Sequence, residues 1–284
     1  MIPTAFDYER ATSLDDAVAK LRTSGGAAKI IAGGHSLVPL MKLRLSEPRR
    51  LIDIGRILEL RGIRESGGTI AIGAATTHHE VATSGLLQQQ CPVLAEAASM
   101  IGDQQVRNRG TIGGSLAHSD PSADYPAVML ALDAEFQLAG PKGRRVVKAQ
   151  DFFKDLLTVD LAEDEILASV QFAPVRSAAY AKLFQRASHY AIVGVAAVLH
   201  MNGGTIASAR VGLTGGTSHA QRLANVEQAL AGRQASAEAL EAAAKLAGAD
   251  LDYVNDDLHA SAEYRRAMIA VFAGRALRAA LARK

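Results

Sequence analysis

Two glycine pairs constrain this chain more than any other feature. Ile30-Ile31-Ala32-Gly33-Gly34-His35-Ser36-Leu37 and Gly110-Thr111-Ile112-Gly113-Gly114-Ser115-Leu116-Ala117 share one build. Each is a short apolar, strand-like run holding two glycines, with a hydroxyl residue within two positions of them. Glycine opens backbone conformations closed to other residues and lets another group come close to the main chain. Successive N–H groups turned to one point form a concavity that binds anions, phosphate among them. From the residues alone two readings stand: unrelated tight turns, or two loops about 80 residues apart that close on one diphosphate.

The first loop is not an ordinary nucleotide fingerprint. No Walker lysine follows the glycines, and the three-glycine Rossmann spacing is missing. Ser36 and Ser115 each offer a hydroxyl to a phosphate oxygen, and His35 stands beside the first loop. Arg107 and Arg109 precede the second loop, where they either steer an anion or form an exposed pair. Asp124, ten residues after Gly114, either accepts hydrogen bonds from a ribose or ring N–H or caps a helix. Tyr190 is either a core-edge residue or a ring laid against a flat ligand.

Other chemistries have less support. His78-His79-Glu80 has metal-ligating side chains, but neighbours in sequence diverge on a helix or strand. His118, Asp120 and Asp124 offer oxygen and nitrogen ligands, yet Asp120-Pro121 more simply marks the start of a helix. There is no Gly-x-Ser-x-Gly elbow for a serine nucleophile. The single cysteine, Cys91, rules out an intrachain disulfide and any Fe–S cluster held by this chain alone. A net charge of +2, with no basic stripe interleaved with aromatics, speaks against nucleic acid. No signal peptide and no long uncharged apolar run is visible, so a cytoplasmic chain without a membrane span is expected.

The local signals predict an α+β chain of three consecutive units, over 1–55, 56–176 and 177–284. Ser13 starts a helix with Ala17, Val18 and Leu21 on one face, and strands are expected at 29–32 and 51–54. Hairpins are expected at Gly67-Gly68, at 140–143 and at Asn202-Gly203-Gly204. A further strand is expected at 165–170. Helices are expected from Pro92 to about Met100, from Asp120-Pro121, and over 237–246 and 262–281. The last places Met268, Val271, Phe272 and Leu281 near one face at helical spacing.

Ala32-Gly33-Gly34-His35-Ser36-Leu37, Thr111-Ile112-Gly113-Gly114-Ser115 and Asp120-Pro121-Ser122-Ala123-Asp124, in this order, resemble a specific family. It is the FAD-binding medium subunit of molybdenum hydroxylases, with the nearest likeness to that of aerobic-type carbon monoxide dehydrogenase. The resemblance runs from Ile2-Pro3 and Phe6-Asp7-Tyr8 to the arginine-rich last helix. It implies a two-part FAD-binding domain of the vanillyl-alcohol-oxidase type. A C-terminal domain of a three-stranded antiparallel sheet with helices should follow. It implies FAD diphosphate contacts at Ala32, Gly33, Gly34, His35 and Ser36, and at Thr111, Ile112, Gly113, Gly114 and Ser115. Asp124 would be a polar contact to the cofactor, Leu167 would lie near the isoalloxazine, Lys182 would be a ring-side cation, and Tyr190 would lie by the flavin face.

The resemblance also implies partners. A large subunit would carry the molybdenum cofactor and oxidise substrate, and a small one would carry two [2Fe-2S] clusters, in a dimer of heterotrimers. Electrons would pass through FAD to an external acceptor, and no residue of this chain would act on the organic substrate. Two other functions stay open at this point: a self-contained flavin oxidase, which needs its own base near the flavin, and a nucleotide-binding module without redox turnover. One departure bears on substrate. The family's carbon monoxide enzymes usually have Asn where this chain has Ser115. The run Ser115-Leu116-Ala117-His118-Ser119 is more similar to relatives acting on aldehydes or heterocycles.

Overall fold

The N-terminal unit alternates strand and helix: β1 (Asp7–Arg10), α1 (Leu14–Thr23), β2 (Ala28–Ile31), α2 (Leu37–Lys42) and β3 (Arg50–Asp53). This computed structural model describes residues 1–283. The strands form a parallel sheet in the order β1-β3-β2. Parallel strands need crossovers, and α1 spans β1 to β2. Ser13 caps α1 by accepting from the Asp16 N–H, and Lys20 pairs with Asp16 one turn away. Leu14, Ala17, Val18 and Leu21 recur at helical spacing and share a small core with Ile52, Ile54 and Ile57.

The middle unit is built on a five-stranded antiparallel sheet. Its strands are β4 (Ile63–Ser66), β5 (Thr69–Gly73), β6 (Glu135–Gly140), β7 (Gly143–Lys148) and a later strand, β10 (Ile166–Phe172), in the order β4-β5-β10-β6-β7. Between β5 and β6 come α3 (His78–Thr83), α4 (Gly85–Gln90), α5 (Pro92–Ser99), α6 (Gln104–Arg107), α7 (Ile112–His118) and α8 (Asp124–Ala131). After β7 come α9 (Ala149–Phe152) and a small hairpin of β8 (Phe153–Asp155) and β9 (Thr158–Val159). Ile70, Ile72, Leu94, Leu116, Met129, Phe136 and Phe152 fill the core, aliphatic for the most part in a chain without tryptophan.

In the C-terminal unit, β11 (Ala178–Phe184), β12 (Ala191–Asn202) and β13 (Thr205–Thr214) form the expected three long antiparallel strands. Two-residue strands, β14 (Gln221–Arg222) and β15 (Arg233–Gln234), pair antiparallel alongside the two ends of β13. One face of the sheet packs Val193, Val195, Leu199 and Val211 against α10 (Ala224–Leu230), α11 (Ala237–Ala244) and α12 (Ala262–Ala282). The other face sends Ala196 and Val198 into the middle core. Burial on both faces explains why β12 is a continuous apolar run. It also explains why every residue of α8 is buried.

Two expectations need correction. The stripe of α12 that faces the sheet is Ile269, Phe272, Ala273, Ala276, Leu277 and Ala280, whereas Val271 is 39 % exposed. Val271 lies nearly half a turn from the middle of that stripe, while Met268 and Leu281 flank it and are partly buried against the core. The helix expected from Asp120-Pro121 begins at Asp124. The Asp120 carboxylate accepts from the Ser122 N–H at 2.8 Å, closing a turn around Pro121 before the helix starts.

Candidate functional site

A cavity of about 760 Å³ opens where the three units meet. Its walls come from the loop after β2, the first turn of α7, the β8–β9 hairpin, β10 and the β11–β12 hairpin.

The first glycine loop lies between β2 and α2. Gly34 has φ +76°, left-handed backbone that favours glycine. A Cβ on Gly33 would lie 2.2 Å from the Arg109 carbonyl oxygen, so glycine here lets the two loops touch. Among the described residues, nothing accepts from the N–H groups of Gly33, Gly34, His35 or Ser36. Consecutive backbone N–H groups without protein acceptors, around a left-handed glycine, have the chemistry of an anion-binding concavity.

The second glycine pair is not strand-like, contrary to expectation. It occupies the first turn of α7, where Thr111 is the N-cap and its Oγ1 accepts from the Gly114 N–H at 3.2 Å. The Ile112 and Gly113 N–H groups donate to the carbonyls of Thr76 (3.0 Å) and Ala74 (2.8 Å). A Cβ on Gly113 would lie 2.4 Å from that of Ala74. The two loops therefore look alike in sequence but differ in physics. The first leaves its donors free, and the second spends most of them on the middle unit. Ser36 and Ser115 line the cavity, and among the described residues neither hydroxyl has a hydrogen-bond partner within the chain.

At the other end Asp124 is the first residue of α8, with a buried carboxylate. It accepts from Tyr180 Oη at 2.6 Å and from Lys182 Nζ at 2.8 Å, and Lys182 also donates to the Met100 carbonyl at 3.1 Å. Burial pushes the Asp124 carboxyl above its ordinary range, and the Lys182 ammonium and Tyr180 hydroxyl pull against that shift. Tyr190 is 44 % exposed. Partial burial and the carboxylates of Asp120 and Asp124 push its phenol up to about 12.

The sequence-based site residues converge on this cavity. Ala32, Gly33, Gly34, His35, Ser36, Thr111, Gly113, Gly114, Ser115, Asp124, Leu167 and Tyr190 all line it. Ile112 instead points into the middle core, and Lys182 stands behind Asp124. Arg107 and Arg109 are not in the walls: the Arg107 guanidinium donates to the Ile101 and Gly102 carbonyls, and Arg109 is exposed. No metal cluster forms from His78-His79-Glu80 or from His118, Asp120 and Asp124 among the described residues. Glu80 is taken by a capping box with Thr77.

His78 was weighed in the sequence only as a metal ligand, and its place in the cavity wall was missed. It is buried, lines the cavity, and places Nδ1 3.1 Å from Tyr125 Oη. Burial, with the charges of His35 and Arg107, lowers its pKa to about 3, so the ring is neutral. Its signal lies in the Thr77 cap and in the i, i+3 pairing with buried Val81, which put His78 on the inner face of α3.

Comparison with known proteins decides the family. Residues 4–174 match the FAD binding domain in molybdopterin dehydrogenase, and residues 178–280 match the CO dehydrogenase flavoprotein C-terminal domain. The chain belongs to the FAD-binding medium subunits of molybdenum hydroxylases. This flavoprotein subunit is 44 % identical over 286 residues to the carbon monoxide dehydrogenase medium chain of Hydrogenophaga pseudoflava, covering 100 % of this chain and 99 % of that one. It is 40 % identical over 287 residues to the 6-hydroxypseudooxynicotine dehydrogenase complex subunit alpha of Paenarthrobacter nicotinovorans, covering 100 % and 97 %. A solved structure of the Hydrogenophaga pseudoflava carbon monoxide dehydrogenase, lacking the Mo-pyranopterin moiety, matches with a TM-score of 0.95 at 44 % identity, over 100 % and 99 % of the two chains.

The subunit is thus part of an oxidoreductase, and its cofactor is FAD. The cavity fits that group on physical grounds: a run of free N–H donors and two unpartnered hydroxyls suit a diphosphate. Among the described residues no helix is long and apolar enough to cross a membrane.

Proposed function

We propose that this chain is the electron-transferring flavoprotein subunit of a complex whose large subunit carries the molybdenum cofactor and whose small subunit carries [2Fe-2S] clusters, assembled as a dimer of heterotrimers in the cytoplasm. When bound, FAD supplies the redox chemistry between those clusters and an external acceptor. The chain's own residues bind and orient it. The unpaired N–H run of Gly33 to Ser36 is the observation that carries this reading, because it faces a cavity walled by all three units. In it, units 1–55 and 56–176 hold the diphosphate, with Ser36 and Ser115 adding hydroxyl bonds. Asp124, fixed by Tyr180 and Lys182, offers its carboxylate at the cavity wall. Leu167 and Tyr190 flank the ring from unit 56–176 and unit 177–284. That the single cysteine cannot hold clusters supports the division of labour.

The test is to co-express the chain with its partner subunits and purify it alone and in complex. A yellow chain that releases FAD on denaturation, and that is reduced by substrate only in the complex, is the expected result. A colourless chain sinks the proposal. Substrate-driven bleaching of the isolated chain would point to a self-contained oxidase instead.

A further inference from the structure

The hairpin between β11 and β12 holds a residue in a costly conformation. His189 has φ +60°, a region that costs an L residue about 1–2 kcal/mol. Such strain persists where the surroundings over-determine it, and it concentrates at functional sites. Here the surroundings are specific. The His189 N–H donates to the Gln185 carbonyl at 2.8 Å, and Nδ1 lies 2.8 Å from the Gly102 carbonyl oxygen. The imidazole stands edge-on to Phe184, centroids 5.5 Å apart. The Gln185 side chain accepts from the Ala187 and Ser188 N–H groups and stiffens the turn.

The other end of this link is also held. Gly102 has φ +47°, and its carbonyl accepts from Arg107 Nη1 at 3.2 Å, the same group that holds the Ile101 carbonyl at 2.8 Å. Ile101, Gly102, Ser188, His189 and Tyr190 all line the cavity. One imidazole therefore joins the C-terminal hairpin to the α5–α6 loop at the rim of the cavity, and the next residue is Tyr190.

We infer that His189 is a positioning residue: its Nδ1–H donates to the Gly102 carbonyl, clasps the hairpin over the cavity, fixes Tyr190 and slows FAD release. This rests on the proposed placement of the flavin ring beside Tyr190. The position needs a residue that tolerates left-handed φ, and histidine, asparagine and aspartate are enriched there. The clasp also needs a donor at the δ position. Asparagine meets both demands, whereas glycine meets only the first.

The experiment uses the purified FAD-loaded chain and its H189G, H189N and Y190F variants, with two readouts: FAD release on dilution and bound-flavin fluorescence. The hairpin is at the surface, so the variants should keep the wild-type unfolding midpoint. H189G should release FAD about threefold to tenfold faster, the range one neutral hydrogen bond supplies. Its fluorescence should rise toward that of Y190F as the tyrosine leaves the ring. H189N should restore both readouts. Wild-type release and fluorescence in H189G overturn the clasp. An H189N chain no better than H189G overturns the hydrogen bond and assigns the effect to packing on Phe184. Unchanged fluorescence in Y190F overturns the placement of Tyr190 itself, and the release rates then decide the clasp alone.

Discussion

Gly33 and Gly113 have no room for a methyl group, whereas Gly34 has a backbone that resents one. G33A drives a Cβ onto the Arg109 carbonyl and G113A drives one onto Ala74. Each should cost about 1–3 kcal/mol in urea unfolding, the usual range for forced overpacking. G33A should also strip FAD, because it parts the two loops. Unchanged midpoints would refute the loop contact. S36A and S115A should behave oppositely. With no partner inside the chain to lose, they should keep the midpoint and weaken FAD binding by about 1 kcal/mol each, read as a fivefold to tenfold higher Kd. His78 supplies a pH test. Its folded pKa of about 3 lies below the free value of 6.5, so on acidification the unfolded chain takes up the proton first. The stability it contributes is complete above pH 6.5. It is lost as pH falls toward 3, at up to about 1.4 kcal/mol per pH unit. Urea unfolding at pH 7, 6 and 5 should show H78Q with a shallower loss than wild type, and identical slopes would exclude a neutral buried ring.

Between elements, the decisive contact joins α8 to β11. K182M should leave the Asp124 carboxylate buried without its cation and destabilise by about 3–5 kcal/mol, and adding D124N should recover most of that. Equilibrium unfolding of the two singles and the double measures the coupling, and simple additivity would argue against the pair. This contact was opaque in the sequence, since Asp124 and Lys182 are 58 positions apart and nothing local pairs them. Hairpins were legible because glycine turns punctuate apolar alternation, as at Gly67-Gly68 and Gly203-Gly204. Polar, exposed β1 and two-residue β14 and β15 carry no period to detect. The second glycine pair was misassigned for a related reason. Ile-Gly-Gly has poor helix propensity, and its helical turn rests on the Thr111 cap and on carbonyls of Ala74 and Thr76 far upstream. The glycine end of the cavity could be read from local motifs. The end near Leu167, Lys182 and Tyr190 is assembled by tertiary contacts, so only likeness to a family brought Leu167 and Lys182 forward, and residue type alone left Tyr190 undecided between core edge and ligand.

At the scale of the molecule, the cavity is a joint property of three units rather than a possession of one. The last unit closes it with Tyr190 and props Asp124 from behind, while Arg283 near the chain end binds Glu96 and the Ala178 carbonyl. A chain ending at residue 176 should therefore lack stable flavin binding even where its own sheet forms. The check is absorbance and released FAD from the purified fragment, set against the full chain; a yellow fragment would show that the first two units suffice. The same geometry has a meaning in time. A ribosome delivers Asp124 before its cation, Lys182. Until β11 and the hairpin after it emerge, the carboxylate of α8 has no counter-charge, and one wall of the cavity does not exist. Flavin loading should then wait for the C-terminal unit, and products terminated before it should stay colourless.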